Sequence, residues 1–354
     1  MKGGFHAILG NPPWVSYAGR AAQPLDDRLR LYFGEFYRGF AGYRNLQALF
    51  VERSAMMLIG RGRLGLIVPS SMAELDGYGP SRAAHDRHAV CDDELPDLGE
   101  DSFRGVSQPS MVLRSTRRTA EDTSAAGEPW PIARPDLDAE ALRILRKLEG
   151  ATLPAGLFGE RGLQSSGEDV DHLRDAAASG TIPTRVGSDI QAFRRSPASL
   201  HAELAWFGTR LRPATDWANV KVLIRQTARV PIAVRSDGAA FRNSILAGFE
   251  DATYPADFLV AYLNSTPIRW YHFNSHRDAR LGMPQVKIGH LRSIPAPCDS
   301  NLVPTLADLG SIWSKRNGGI VAEEQGRLDE MVAGGLGLAS DDLARMRRDS
   351  EAWS

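Results

Sequence analysis

Hydrophobic residues in the first seventy positions are spaced as in an alternating series of strands and helices. Residues 5–9 form a short apolar run without strict alternation, which predicts a parallel strand buried on both faces. From residue 45 to 59, apolar side chains recur near helical spacing and predict an amphipathic helix packed on a sheet. Residues 64–69 predict a second buried parallel strand. The order strand, helix, strand predicts a right-handed βαβ crossover.

The pattern changes along the rest of the chain. Residues 70–101 are irregular, residues 102–113 predict a turn that leads into a short strand, and residues 136–148 predict a helix with Leu142, Leu145 and Leu148 on one side. Beyond residue 151, short strand-like segments such as 183–195 and 220–227 alternate with turns, a further helix begins near residue 258, and the tail from residue 301 is helical. We expect domain limits of 1–120, 121–150, 151–300 and 301–354, the second being a linker and helix.

Composition adds the expected class and compartment. The 354 residues, 43% hydrophobic and 24% charged, are typical of a soluble globular protein with two domains. No apolar run approaches the length of a membrane span, and the N-terminus lacks the features of a signal peptide, so the expected location is cytoplasmic. Cys91 and Cys298 are too few and too distant for a disulfide framework or a zinc site, which predicts reduced, packed thiols.

Net charge does not by itself predict nucleic-acid binding, since the formal value is −1. Residues 201–300 nevertheless contain 12 Lys and Arg against 8 Asp and Glu. That excess could help a groove hold phosphates. An ordinary solvated surface explains it nearly as well.

Candidate chemistry lies just after the first predicted strand, in Asn11-Pro12-Pro13-Trp14. Asn11 would leave the carboxyl end of a parallel strand, where open α/β sheets bind their ligands. Pro12 and Pro13 fix two successive φ angles, so the Asn11 amide oxygen and the Pro12 carbonyl can face one point. Two acceptors beside the Trp14 ring suit an exocyclic amine on a planar base. The alternative is a turn that only ends a strand.

These four residues resemble motif IV, (N/D/S)-P-P-(Y/F/W), of the amino-methyltransferases that modify DNA, in the Asn form typical of adenine-N6 enzymes. The chain as a whole resembles the C-terminal part of gamma-class DNA adenine-N6 methyltransferases, including those of restriction-modification and phage-defence systems. Residues 45–52 resemble the helix after motif IV, residues 62–71 the next strand and its loop, and residues 103–113 motif VIII.

The second half is similar to the TaqI-like C-terminal specificity domain. The stretches that carry this similarity are residues 161–167, 186–193, 221–227, 259–265, 282–289, 294–297, 328–332 and 337–338. The resemblance implies an α/β fold class: a partial Rossmann-like methyltransferase sheet, then a mixed α/β DNA-recognition domain and a short helical tail.

The resemblance also implies a reaction, methyl transfer from S-adenosylmethionine to N6 of an adenine flipped out of double-stranded DNA. Asn11, Pro12, Pro13 and Trp14 would form the catalytic corner, and Trp14 and Phe103 would stack on opposite faces of the base. For Phe103 the alternative is an ordinary core aromatic. Candidate DNA contacts are Arg225, Arg229, Arg277, Arg280 and Lys287, although a solvated surface role is about equally expected for any one of them.

One departure from the family changes the expected activity. Only ten residues precede Asn11, whereas family members have a glycine-rich S-adenosylmethionine loop and three strands upstream of motif IV. The later glycine clusters at residues 60–62, 77–79 and 334–337 are predicted turns, and residues 73–101 fit the family poorly. We therefore expect one subunit of a split adenine-specific enzyme, inactive until a partner chain supplies the cofactor-binding half. The alternative is a non-catalytic DNA-specificity module or a degenerate fragment.

No metal site and no nuclease are predicted. His272 and His276 have i, i+4 spacing but lack the nearby Glu of a metalloprotease pattern, so structural roles are expected. The sequence around Pro96-Asp97 lacks the Glu-x-Lys that would complete a nuclease motif with this Pro-Asp pair.

Overall fold

A computed structural model describes residues 3–18, 22–99, 102–103, 108–134, 137–276 and 284–351. The chain divides into two compact units, residues 1–136 and residues 137–354. The finer domain limits drawn from the sequence remain predictions. No helix within the described residues is long and apolar enough to cross a membrane.

The first unit is built on a sheet of five described strands. Its elements are β1 (Phe5–Gly10), α1 (Asp27–Phe36), α2 (Leu46–Met57), β2 (Leu58–Pro69), α3 (Ser71–Glu74), α4 (Gly79–Asp86), β3 (Ala89–Cys91), β4 (Asp97–Gly99) and β5 (Ser110–Arg117). The strand order is β1-β2-β5-β3, and β4 also pairs with β5. β1 is parallel to β2, whereas β2, β3 and β4 are all antiparallel to β5.

The predicted strand at residues 5–9 and its parallel pairing are confirmed, but its burial on both faces is wrong. Phe5 is 52% exposed and Leu9 is 84% exposed. The physical reason is position, because β1 is at the end of the described strand order and only β2 pairs with it. An apolar strand here forms the edge of the sheet instead of its centre.

The glycine cluster at residues 60–62, predicted to be a turn, lies within β2. Phe5 pairs with Leu58 and Ala7 pairs with Arg63. β2 therefore has more residues than β1 between these two pairs, and its extra residues form a bulge. Arg61 has a φ of 65° in this bulge. A Cβ on Gly62 would come within 2.9 Å of the Phe5 carbonyl oxygen, which only glycine avoids.

The predicted helix at residues 45–59 is confirmed as α2, although not all of its apolar side chains lie on the buried face. Ala48, Val51 and Ala55 are buried, whereas Phe50 is 45% exposed. The buried face also includes Glu52, whose carboxylate accepts hydrogen bonds from the backbone amides of residues 38 and 39 at 3.1 and 2.9 Å. A charged residue on the packed face interrupts the apolar spacing that the sequence pattern depends on.

Residues 70–101, predicted to be irregular, contain α3, α4, β3 and β4. Arg82 in α4 is 2% exposed and donates to the carbonyls of Met72, Leu75 and Gly127. A buried guanidinium that donates to several carbonyls holds these turns together. Because these contacts are polar, they produce no hydrophobic periodicity from which the elements could be predicted.

The second unit contains the remaining elements. They are α5 (Ala139–Lys147), β6 (Phe158–Gly159), β7 (Leu173–Arg174), β8 (Thr181–Arg185), β9 (Ile190–Gln191), β10 (Arg194–Arg195), β11 (Leu200–Glu203), α6 (Leu204–Phe207), α7 (Ala214–Asn219), β12 (Val222–Arg225), β13 (Ala233–Arg235), β14 (Ala240–Phe241), β15 (Ile245–Gly248), α8 (Ala256–Leu263), α9 (Thr266–Ser275), α10 (Ile288–Arg292), α11 (Leu302–Arg316), α12 (Ala322–Gly335) and α13 (Ser340–Ser350). The mixed strands predicted beyond residue 151 and the helical tail are confirmed.

The strands of this unit form small sheets around a helical core. One sheet has the order β13-β12-β15-β6 and another the order β14-β8-β11-β7. All eight residues of α8 except Asp257 are buried, so this helix is apolar nearly all round and forms the centre of the core. The predicted stripe of Leu142, Leu145 and Leu148 on α5 is shifted, because Ala141, Ile144 and Leu148 are the buried set.

An ion-pair cluster joins α5 to α13. The Asp342 carboxylate, 1% exposed, accepts from Arg143 at 2.7 Å, from Lys147 at 2.6 Å and from the Ala339 amide at 2.9 Å. Burial alone would raise the pKa of Asp342, but the bonds from Lys147, Ala339 and Arg143 lower it below the ordinary value of 3.8. The charged form is therefore favoured by folding.

Asp342→Ala should lower the free energy of unfolding by about 2–3 kcal/mol, because it removes the carboxylate that accepts from the Ala339 amide at the start of α13 and leaves two cations without their partner. Urea unfolding followed by circular dichroism measures this. The exposed neighbour Asp341→Ala is the matched control and should change stability by less than about 0.5 kcal/mol. Since the folded-state pKa is depressed, the contribution of Asp342 should be complete above pH 4 and lost on further acidification. Equal effects of the two variants would contradict this account.

Candidate functional site

The corner at Asn11-Trp14 lies at an edge of the first sheet where two strands end and a third begins. β1 ends at Gly10, which pairs with Leu66 near the end of the parallel β2. β5 runs antiparallel to β2 and begins beside it, with Ser110 opposite Pro69. The carboxyl ends of β1 and β2 and the start of β5 therefore share one edge, the position at which open α/β sheets bind ligands.

Asn11 is exposed at this edge, while Pro12 is buried and Pro13 is exposed. Within the described residues, no protein group hydrogen-bonds the Asn11 side chain. The buried ring of Pro12 anchors the turn, and the two prolines limit the backbone freedom on either side. The amide of Asn11 is thus available to a ligand and is presented by a stiff segment.

Trp14 is half-buried and held by two contacts. Its Nε1 donates to the carbonyl of Ile67 in β2 at 3.3 Å. Its ring meets the ring of Phe103 edge to face, with centroids 6.0 Å apart and an angle of 89° between the planes. The structure thus brings the two predicted stacking residues together across nearly ninety positions of sequence. A base between them would require parallel rings with a gap, so one ring must rotate before both could stack on it.

The segment after the corner is fixed to the start of α2. The Val15 carbonyl accepts from the Leu46 amide at 2.8 Å, and the Tyr17 amide donates to the Arg44 carbonyl at 2.9 Å. Asn45, fully buried, caps α2 by accepting from the Ala48 amide at 2.8 Å. Asn45 was not among the predicted site residues, although an Asn directly before a helical pattern is a recognised N-cap signal.

Tyr78 is a buried titratable group near the start of α2. Burial raises its pKa to about 12, although hydrogen bonds with Ser71 and Gln47 act in the opposite direction. Tyr78 is therefore protonated at neutral pH and can serve there as a hydrogen-bonding group.

In the second unit, three predicted basic DNA contacts lie on neighbouring loops. Arg225 ends β12 and its Nε donates to the Thr227 carbonyl at 3.0 Å, and Arg229 is exposed in the following loop. The Val286 amide donates to the Gln226 carbonyl at 2.7 Å, which brings Lys287 beside the same loop. The predicted contacts Arg277 and Arg280 lie outside the described residues.

A pair of carboxamides that we did not identify from the sequence joins this loop surface. Asn243 Nδ2 donates to the exposed Gln164 Oε1 at 3.0 Å. The backbone brings the pair close to Arg225, since the Gln226 amide donates to the Ser244 carbonyl at 2.9 Å. Gly162 is required here, because a Cβ would lie 2.5 Å from the backbone of Arg242.

His272 and His276 form a compact group with His290. The rings of His276 and His290 are stacked with centroids 4.0 Å apart, and His272 lies 5.2 and 5.3 Å from them. The three rings lie where α9 ends beside α10, and the structural role expected for this histidine pair remains a prediction.

Trp14→Phe should destabilise the protein by about 1 kcal/mol, because the ring remains but the bond to the Ile67 carbonyl is lost. Urea unfolding measures the change. Tyr32→Phe is the control, since it removes one polar atom from a 47% exposed aromatic residue of α1. A Trp14→Phe protein as stable as the control variant would show that the bond does not hold the ring.

The chain is similar in sequence and fold to known restriction-modification proteins. Residues 1–88 match the family model described as Eco57I restriction-modification methylase. Over 314 residues the chain is 26% identical to the Type II methyltransferase M.TthHB8I of Thermus thermophilus, which covers 82% of this chain and 72% of that protein. The solved structure of the Type IIL restriction-modification enzyme MmeI in complex with DNA has a TM-score of 0.51 and 10% identity, covering 98% of this chain and 56% of that one. This likeness confirms the predicted fold class, and the chain spans only about half of the MmeI chain.

Proposed function

We propose that this relative of the restriction-modification methyltransferases holds a flipped adenine and recognises DNA in a site-specific adenine-N6 methyltransferase. The observation that carries the proposal is the exposed Asn11 on a proline-stiffened turn at the shared strand-end edge. The family match, which covers this corner, supports methyltransferase chemistry. Adenine as the target rests on the Asn form of the motif.

The chain's own contribution to the reaction would be positioning. The Asn11 amide oxygen and the Pro12 carbonyl would accept the two hydrogens of the adenine amine, which directs the nitrogen lone pair out of the plane of the base. No strong base is needed at this step, because orientation and electrostatic stabilisation in a fixed site lower the barrier.

The aromatic pair would hold the base after flipping. Extruding an adenine from the duplex costs a few kcal/mol, and stacking of the extruded base on an aromatic ring offsets about 1–3 kcal/mol of this cost. The perpendicular contact between Trp14 and Phe103 is then the base-free arrangement. Rotation of the Phe103 ring is the smaller change, since Trp14 is also bonded to β2.

S-adenosylmethionine would supply the methyl group, but the described residues do not fit it. β1 leads into the Asn-Pro-Pro turn, and β2 leads through Ser70 into the four-residue α3. Neither is a glycine-rich turn that enters a long helix, the arrangement expected for the cofactor. We therefore assign the cofactor to a partner chain, which would extend the sheet at the exposed edge of β1.

Sequence recognition would belong to the loop surface of the second unit. Exposed Arg229 and half-buried Lys287 suit phosphate contacts, which give affinity without sequence discrimination. The Gln164–Asn243 pair suits the edge of a base, because carboxamides bond the N6 and N7 groups of adenine in the major groove. The DNA complex of MmeI supports such a role for a chain of this fold.

A second candidate is a DNA-specificity module without catalysis. The observation that favours it is again the contact between Trp14 and Phe103, which leaves no slot for a base between the two rings. Under this alternative the corner is structural and only the loop surface is functional.

Asn11→Ala should abolish adenine methylation while leaving DNA binding within about twofold of the original protein, because the side chain is exposed and bonds only the amine. The assay mixes this chain with candidate partners that carry the glycine-rich cofactor loop and detects N6-methyladenine. Asn219→Ala, an exposed asparagine at the end of α7, is the control and should retain full transfer. If no combination transfers a methyl group while DNA binding stays intact, the methyltransferase proposal is wrong and the non-catalytic module is the remaining function.

The two kinds of contact on the loop surface should respond differently to mutation. Arg229→Ala should weaken binding to all DNA sequences and reduce the slope of log K against log salt by about one. Asn243→Ala should instead lose about 1–3 kcal/mol of discrimination at one base pair. Fluorescence anisotropy at several salt concentrations measures both, with the exposed Arg348→Ala in α13 as the control. If Asn243→Ala weakened binding equally to all DNA sequences, the assignment of Asn243 to a base edge would be wrong.

A further inference from the structure

A cluster of three metal-binding side-chain types lies in the first unit, away from the corner. His85 and Asp86 end α4, and Cys91 ends β3. One ligand atom from each lies within 4.8 Å of the other two. The His85 Nδ1 is 2.7 Å from the Asp86 carboxylate. Imidazole, carboxylate and thiol in one group are the donor types that bind zinc-like cations in proteins.

The His85 ring is held in the orientation that a metal ligand needs. It is fully buried, and its Nε2 lies 2.9 Å from the hydroxyl of Ser115 in β5. The Trp130 ring packs edge to face against it, with centroids 5.0 Å apart. One ring nitrogen is thus bonded to a supporting group while the other faces two further ligands, the arrangement typical of metal-ligating histidines.

A Ser-His-Asp nucleophile is the obvious alternative for Ser115, His85 and Asp86, and burial argues against it. Ser115 and His85 are both 0% exposed, so no substrate carbonyl can reach the hydroxyl. Asp86 and Cys91, in contrast, are half-buried. Both line a cavity of about 310 Å³.

The charges around the cavity favour a cation. Asp92 and Asp122 line it together with Asp86 and Cys91, and Arg118 is a basic residue on the same wall. Arg118 pairs with Asp122 at 3.8 Å, and Asp92 pairs with Arg63 and Arg114 at 3.1 and 3.3 Å. Asp93 and Glu128 also line the cavity and add negative charge. The cavity also leaves room beside the three ligands for a water molecule in a fourth position.

We propose that His85 Nδ1, the Asp86 carboxylate and Cys91 Sγ bind a thiophilic divalent cation of the Zn²⁺ type, with a fourth position open to this cavity. The site is independent of the methylation proposed above. It lies where α4 meets β3 and β5, so a bound cation would link these elements of the first unit.

Binding would displace one proton. Burial, followed by the charges of Asp86 and Asp92, raises the pKa of the Cys91 thiol above its ordinary value, so the metal-free residue is a thiol at neutral pH. The cation forms a bond to sulfur, the S–H bond breaks, and that proton passes to solvent. His85 Nδ1, which shares its hydrogen with the Asp86 carboxylate at 2.7 Å, loses that hydrogen as the cation binds, and the ring takes the tautomer with hydrogen on Nε2, which then donates to the Ser115 hydroxyl. No oxidant or reductant is involved. Affinity should therefore rise with pH.

Cobalt is the probe that tests the site, because a thiolate bound to Co²⁺ gives a sulfur-to-metal charge-transfer band in the near ultraviolet. Titration of the full chain should give this band with one equivalent of Co²⁺, and excess Zn²⁺ should remove it. Cys298→Ser is the matched control, since it removes the other, exposed cysteine and should keep the band. Cys91→Ser should abolish the band, and Ser115→Ala should weaken Co²⁺ binding by about tenfold or more.

A second measurement on the unmutated chain guards against variants that do not fold. Zn²⁺ should protect one of the two thiols from alkylation, and peptide mapping should identify it as Cys91. The proposal is overturned if folded protein gives no cobalt band, if the band depends on Cys298, or if Zn²⁺ protects neither thiol. In each case the three side chains serve only as a buried hydrogen-bond network.

Discussion

Parallel pairing between β1 and β2 is the contact on which the candidate site depends. It places Gly10 opposite Leu66, so the corner begins where β2 is also ending. The antiparallel β5 then brings its own start to the same edge. A shift of one residue in the β1 register would turn every side chain of that strand to the other face and move Trp14 away from the Ile67 carbonyl.

Buried charges do much of the remaining positioning. Glu52 bonds the backbone that precedes α2. Arg82 donates to carbonyls of three separate turns in the first unit. Asp342 joins α5 to α13 in the second unit. Each has several partners, which offsets the cost of removing a charge from water. The segments that Arg82 holds were predicted to be irregular, so polar contacts take the place of hydrophobic periodicity there.

The exposed edge of β1 connects the fold with the proposed function. An apolar strand with a free edge is a template for pairing with another chain, and soluble proteins usually cover or interrupt such edges. Here Leu9 is 84% exposed directly before the catalytic candidates. A partner that paired with β1 would therefore both cover this edge and approach the face on which Asn11 lies.

How much could be predicted from the sequence depended on how local the signal was. The Asn11-Trp14 corner, the strand before it, α2 and the helical tail were predicted because proline stiffness, apolar runs and helical spacing act within a few residues. The same was true of the strand character of the second unit. Charge and cysteine count did not identify Cys91 as a neighbour of His85 and Asp86, since the contact depends on how α4 turns into β3.

The tertiary structure decided what lies beside these local elements. Whether residues 5–10 were central or at an edge depended on which strands pair with them, a property that the apolar run alone does not contain. Glu52 is on the packed face of α2, where it bonds the backbone of residue 39, and Trp14 meets Phe103 although the two are far apart in the sequence. The sequence by itself determined the proposal for the chemistry of the corner, because that proposal rests on four adjacent residues. Its surroundings come from positions far apart in the chain, which only folding brings together.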